Sequence, residues 1–316
     1  MEGVMFRKPK IGIALGSGGA RGLAHAGVLQ VLEEAGIRAD IVAGTSMGSI
    51  VGALYAQNPD PDWIWEKLKT YVTNRDFADY WAPFVPKDGL DPQSSQSRIS
   101  GVFDFMQRKM IAVKTVTRPW IQEREKLLNP LGSAFGPLSF EDLPIPMAAV
   151  ALDLVSGEQI VTTSGPLVEG LYSSCAIPAI FPPVRRDGKI IVDGGGPFRV
   201  PVEACREMGA DFVIAVDIPA FEESTFNTGL DMILRSNTIA RQRLNRFVCD
   251  TADYVIRPQV TEFHWADFGA GEACRARGAE EARKEIKHLL GLMRWRRNPR
   301  YHLKMATKRM LRMHLD

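Results

Sequence analysis

The chain has 316 residues, a formal net charge of +2 and 45% apolar side chains. That is enough material for one large α/β domain with a real core, and the near-balanced charge names no nucleic-acid or acidic partner. Four scattered cysteines, Cys175, Cys205, Cys249 and Cys274, lack a C-x-x-C pair, so no disulfide framework or zinc site is indicated and a reducing, cytoplasmic setting is expected.

The first residues lack a long apolar run, so no signal peptide is expected ahead of Lys8-Pro9-Lys10. Residues 41–59 carry no charge but are broken by glycines, serines and a threonine. A soluble core segment is expected there rather than a membrane span.

In chain order, an apolar strand over 11–15 runs into Gly16-Ser17-Gly18-Gly19-Ala20-Arg21-Gly22 and then a helix to about Glu34. Strand, glycine loop and helix form an anion-binding arrangement, with backbone N–H groups backed by the positive end of a helix. Three readings compete for it. A dinucleotide fold needs G-x-G-x-x-G, but Arg21 occupies the sixth position and the glycine comes one later, although Asp40 lies near the place for a ribose-binding acid. A P-loop needs G-K-[ST], which Arg21-Gly22 is not. The third reading is an oxyanion hole serving a nearby nucleophile.

That nucleophile comes next. A strand over 41–43 and a helix over 47–57 flank Gly44-Thr45-Ser46-Met47-Gly48, which fits G-x-S-x-G. In this pattern a serine stands on a sharp strand-to-helix turn, and Gly44 and Gly48 let the backbones pack closely enough for Oγ to project. Two glycine motifs, each following a strand and opening a helix, are expected side by side at one end of a parallel sheet.

Residues 62–137 turn aromatic, basic and irregular, with Trp63, Trp65, Tyr71, Phe77, Trp81 and Trp120 among them. This variable cap or insert supplies either ordinary core or an acyl-chain groove. Strands are expected over 147–152 and 159–163, a short helix over 167–175, and a shaped apolar wall at Ile177-Pro178-Ala179-Ile180-Phe181-Pro182-Pro183. A strand over 189–192 delivers Asp193-Gly194-Gly195-Gly196, either a tight turn or a positioned carboxylate. A helix over 201–208, a strand over 212–217, a long helix over 229–249, a short strand over 254–257 and a helix over 272–293 complete the domain, 8–293. The basic tail, 294–316, is expected to be a solvated end, with a membrane-surface anchor as the alternative.

Ser46 needs a base. Of the five histidines only His264 follows both Ser46 and Asp193 in the order Ser, Asp, His, which makes a Ser46-Asp193-His264 triad one option. The simpler option is a dyad in which Asp193, in a poorly solvated pocket, takes the Ser46 proton directly. The three motifs in this order, 16–22, 44–48 and 193–195, resemble the signatures of the patatin-like phospholipases, in particular the bacterial branch similar to the catalytic domain of neuropathy target esterase. That resemblance implies a three-layer α/β/α fold with a mainly parallel central sheet, and a Ser46-Asp193 dyad without histidine. It also implies an oxyanion hole from the N–H groups of Gly18, Gly19 and Ala20, with Arg21 bracing the loop or meeting a substrate anion, and turns at Gly44, Gly48, Gly194 and Gly195. Ser17 stands where many members have glycine. The segment Ser173-Ser174-Cys175-Ala176-Ile177-Pro178 is similar to a family element flanking the site. The implied reaction is hydrolysis of a fatty-acyl ester in a phospholipid or lysophospholipid through an acyl-enzyme, with no metal or cofactor. A soluble-acyl esterase or thioesterase, and a non-catalytic lipid- or partner-binding regulatory protein, are the competing functions.

Overall fold

The computed structural model describes residues 8–74, 77, 81, 84–85, 117–219 and 228–296. In chain order these form β1 (Ile11–Leu15), α1 (Ala24–Glu34), β2 (Ile41–Thr45), α2 (Met47–Gln57), α3 (Pro61–Thr73) and α4 (Glu125–Phe135). There follow β3 (Met147–Asp153), β4 (Gln159–Thr162), α5 (Leu167–Cys175), β5 (Val184–Arg186), β6 (Lys189–Asp193) and α6 (Val202–Glu207). The last elements are β7 (Phe212–Val216), α7 (Gly229–Cys249), β8 (Tyr254–Ile256) and α8 (Gly271–Arg296).

The strands make one mixed sheet in the order β5-β6-β3-β2-β1-β7-β8, with β4 paired to β3. The central members β3, β2, β1, β7 and β8 run parallel. β1, β2 and β7 are buried throughout, which is why they appear in the sequence as continuous apolar runs rather than alternating ones. Alternate residues feed opposite faces. Ile13, Leu15, Val42, Ile214 and Val216 join the core under α1, α2 and α8. Ala14, Ala43, Val213 and Ala215 pack with Val202 and Cys205 of α6 and with Cys249 at the end of α7. Helices on both faces of a mainly parallel sheet give the expected three-layer α/β/α architecture.

The pairing of β3 decides where the site lies. Residues 149–152 of β3 pair with β4 along one edge. Its other edge is shared end to end: residues 147–150 pair with β2, and residues 151–153 with β6. Thr45 therefore faces Val150, and Asp193 faces the next residue, Ala151.

β5 is not foreseen in the sequence. It is an outer strand with Arg185 and Arg186 exposed, so it has no apolar alternation, and Asp187-Gly188, both at positive φ, turns it into β6 as a tight hairpin does. α8 continues to Arg296, past the boundary drawn at 293. The remainder of the tail lies outside the described residues, as do residues 75–116 of the 62–137 insert apart from 77, 81, 84 and 85. Among the described residues no helix is long and apolar enough to cross a membrane.

Candidate active site

Ser46 stands where β2 ends and α2 begins, at φ 55° and ψ −126°. A residue with a side chain held there stores roughly 1–3 kcal/mol of backbone strain, so the surroundings have to hold it. Glycine permits the turn: a β-carbon on Gly44 would lie 2.3 Å from the Gly48 carbonyl oxygen, and one on Gly48 would lie 2.2 Å from the Leu15 carbonyl oxygen. The elbow is thus packed backbone on backbone, on itself and on the end of β1. Ser174, fully buried on α5, ties it down. Its Oγ accepts the Ser46 amide at 2.9 Å and donates to the Val150 carbonyl at 2.7 Å.

Asp193 arrives from the other side of the same point. Its amide donates to the Ala176 carbonyl at 3.0 Å, and its Oδ1 accepts the Gly195 amide at 2.6 Å. Ser46 and Asp193 are only 6% and 7% exposed. Burial pushes the Asp193 carboxyl up to about 6, opposed by hydrogen bonding from the Ser46 side chain, by the Gly195 amide and by the charge of Arg199. A carboxylate in that range is a stronger base than a solvated one and is still ionised at neutral pH. The His264 Nδ1 accepts the Ala266 amide at 3.3 Å.

The glycine loop can be accounted for amide by amide. Gly16 donates to the Val216 carbonyl at 3.0 Å, and Ser17 to the Arg199 carbonyl at 2.8 Å. The amide of Ala20 donates to the Trp265 carbonyl at 2.7 Å. That withdraws Ala20 from the expected oxyanion set, because its N–H already has a strong acceptor. Among the described residues the amides of Gly18 and Gly19 have no acceptor. Gly19 sits at φ +56°, with the Trp265 carbonyl where a β-carbon would go.

Two braces of this loop are not evident from the sequence. His25 is fully buried, and its Nε2 lies 2.7 Å from the Gly16 carbonyl. Since a carbonyl accepts, the proton is on Nε2, and burial holds the ring down to about 4, so it stays neutral. The second brace is the Trp265 backbone itself. Arg21 is 5% exposed, with Nε and Nη1 unpartnered. Burial, aided by the charge of Arg199, lowers it to about 10, and it lines neither cavity described below, a placement that favours bracing over contact with a substrate anion.

Beside Ser46 lies a narrow apolar cleft of about 30 Å³, lined by Tyr71, Phe77, Trp81, Cys175, Phe181 and Phe268 among others. The aromatics of the 62–137 stretch that are described here are therefore both core and cleft wall. Trp81 packs edge-on to Trp265 at 5.6 Å, and Phe77 to Phe268 at 4.8 Å. A volume of this order holds about one water.

A nucleophile, a buried carboxylate and free amides at one sheet end can perform acyl transfer. A family model described as patatin-like phospholipase matches residues 13–206. An uncharacterized NTE family protein of Mycobacterium bovis is 32% identical over 214 residues, covering 68% of this chain and 50% of that protein. Neuropathy target esterase sws of Drosophila melanogaster is 30% identical over 70% of this chain and 14% of its own length. The patatin-like phospholipase domain-containing protein 6 of Homo sapiens is 31% identical over 80% of this chain and 16% of its own. The chain thus spans half or less of these curated relatives. Among solved structures, VipD from Legionella pneumophila aligns with a TM-score of 0.46 at 14% identity, over 89% of this chain and 67% of that one.

Proposed function

The chain belongs to the patatin-like phospholipase family, and from that premise we propose that it is a serine lipid acyl hydrolase. It cleaves fatty-acyl esters of phospholipids or lysophospholipids through Ser46 and Asp193. The observation that carries this reading is the shared edge of β3, where Thr45 and Asp193 face consecutive residues. That edge supports the reading because it brings the strand ends that carry Ser46 and Asp193 next to each other.

In the proposed reaction Ser46 Oγ attacks the ester carbonyl while its proton passes to the Asp193 carboxylate. The amides of Gly18 and Gly19 receive the developing oxyanion. The carbon–oxygen bond to the glycerol side then breaks, the departing alcohol takes the proton from Asp193, and an acyl-enzyme remains. A water deprotonated by Asp193 attacks that ester, the fatty acid leaves and Ser46 recovers its proton. The scheme uses no metal or cofactor. The narrow cleft favours a second reading, hydrolysis of short soluble acyl esters or thioesters by the same two residues.

A panel of short- and long-chain acyl esters on wild type, Ser46→Ala and Asp193→Asn tests both. Both variants are expected to lose turnover by several orders of magnitude and Ser46→Ala to lose fluorophosphonate labelling, while the chain-length profile separates lipid from soluble substrates. Equal turnover by all three proteins would remove the dyad. Peripheral membrane contact through the tail remains part of the proposal, and truncation after Arg297 is expected to weaken binding to anionic vesicles. Unchanged vesicle binding would leave the tail as a solvated end.

A further inference from the structure

A second cavity adjoins the glycines that follow Asp193. It has a volume of about 560 Å³ and is bounded by Gly195 and Gly196, by residues of α7 from Thr238 to Arg246, by Asp250 just past the end of that helix, and by Arg199, Asp217 and Arg257. The volume suits a small-molecule headgroup. Its lining is unlike that of the apolar cleft, with four arginines, Arg199, Arg241, Arg246 and Arg257, facing two aspartates, Asp217 and Asp250.

The charges do not cancel. Asp217 is fully engaged: it is 3.2 Å from Arg257 and 3.9 Å from Arg199, and accepts the Asn245 amide at 2.9 Å. Among the described residues neither Arg241 nor Arg246 has a carboxylate within ion-pair distance; Arg241 donates only to the Thr238 hydroxyl at 3.2 Å. The charge of Arg241 also bears on that of Arg199 as a like-sign repulsion. Guanidinium groups gathered around a recess with two of them unpaired are matched by an anion that accepts several N–H bonds at once, and phosphate has that geometry.

The surroundings indicate where the phosphate comes from. α7 turns its polar face to the cavity, while Met232, Ile233, Ile239, Leu244 and Phe247 on the same helix are exposed by 44% to 61%. A phosphate presented next to apolar surface is that of a lipid headgroup. Gly195 joins the cavity to the dyad, since its amide holds Asp193 Oδ1 and it lines the recess. Resting on the proposed hydrolase reading, we propose that this arginine cavity is the headgroup site, and that it takes the phosphate of an anionic (lyso)phospholipid whose acyl ester lies at Ser46.

Two measurements on the full chain test the proposal. Calorimetric titration of glycerol 3-phosphate and of inorganic phosphate into the Ser46→Ala protein reads binding without turnover, so the result stands whether or not the hydrolase reading does. Glycerol 3-phosphate is expected to bind at least fivefold more tightly than inorganic phosphate, and Arg241→Gln/Arg246→Gln in that background to weaken it at least tenfold. These substitutions break no ion pair of the described fold, and a loss of wild-type affinity with rising ionic strength checks the same site without a variant. In the active protein, the ratio of kcat/KM for lysophosphatidate to that for a monoacylglycerol of equal chain length is expected to fall at least tenfold in the double variant. Absence of glycerol 3-phosphate binding overturns the proposal. Equal binding of the two anions with an unmoved kinetic ratio overturns it too, in favour of a free-phosphate site.

Discussion

Ser174 links the elbow to the sheet, and Ser174→Ala removes that link without changing any dyad atom. The substitution leaves the Ser46 amide and the Val150 carbonyl without the partner they share at 2.9 Å and 2.7 Å. Ser174 is 0% exposed, so water replaces neither bond. A deserted buried polar group costs roughly 1–3 kcal/mol, which puts the expected loss of stability for the two groups at about 2–6 kcal/mol. The Ser46 backbone would also lose the contact that holds its positive φ, and a misplacement of about 1 Å costs up to ~100-fold in rate. A fall in kcat of at least about tenfold is expected. Urea denaturation gives the stability change, and hydrolysis of p-nitrophenyl butyrate gives kcat. Ser173→Ala is the control, because the Ser173 hydroxyl only back-bonds to the Glu169 carbonyl at 2.9 Å within its own helix; its cost should stay near 0.5 kcal/mol. If Ser174→Ala unfolds at the same urea concentration as wild type and keeps kcat within twofold, Ser174 does not hold the elbow.

Three further outcomes follow from the same geometry. Because Asp193 must be ionised to accept a proton and sits at about 6, kcat/KM is expected to rise with pH through about 6 and to drop about tenfold from pH 7 to pH 5; a limb centred below 4.5 would contradict the effect of burial. The folded-state pKa of Asp193 is raised, so its contribution to stability is present below about pH 4, declines as pH rises through about 6 and is absent at pH 7. Asp193→Asn is therefore expected to be inactive yet more stable by about 3 kcal/mol at pH 7, with most of the gain gone at pH 4; denaturation at the two pH values decides it, and a destabilised variant at pH 7 rejects it. The Tyr71 hydroxyl is buried beside the cleft without a partner, so Tyr71→Phe should be neutral or stabilising by up to about 1 kcal/mol. A measured loss above 1 kcal/mol would reveal a bond the hydroxyl makes in solution.

The parts of the site that the sequence displays are those made of contiguous residues. The glycine loop and the elbow each follow a fully buried parallel strand, so an apolar run ending in glycine marks both, and Asp193 stands between the buried end of the antiparallel β6 and a run of glycines. Ser174, His25 and the Trp265 carbonyl leave no such mark, because each acts on a backbone group brought to it by tertiary packing. In sequence Ser174 belongs to a segment marked by resemblance alone; its chemistry lies in its two backbone partners, Ser46 and Val150. The bond of the Ala20 N–H leaves no mark either, because its acceptor is a carbonyl far downstream. Arg199, Arg241 and Arg246 look like ordinary solvated charges in sequence, and only the fold turns them toward one cavity.

The end-to-end sharing of the β3 edge by β2 and β6 also sets an order of events in time. Ser46 and Asp193, the proposed pair, belong to segments distant in sequence, and they meet only after the middle strand has paired with both. Such long-range pairings close late relative to helices and local turns. During refolding, helical circular dichroism should therefore recover before fluorophosphonate reactivity, and the interval between the two is the lifetime of a chain that has its helices but no working serine.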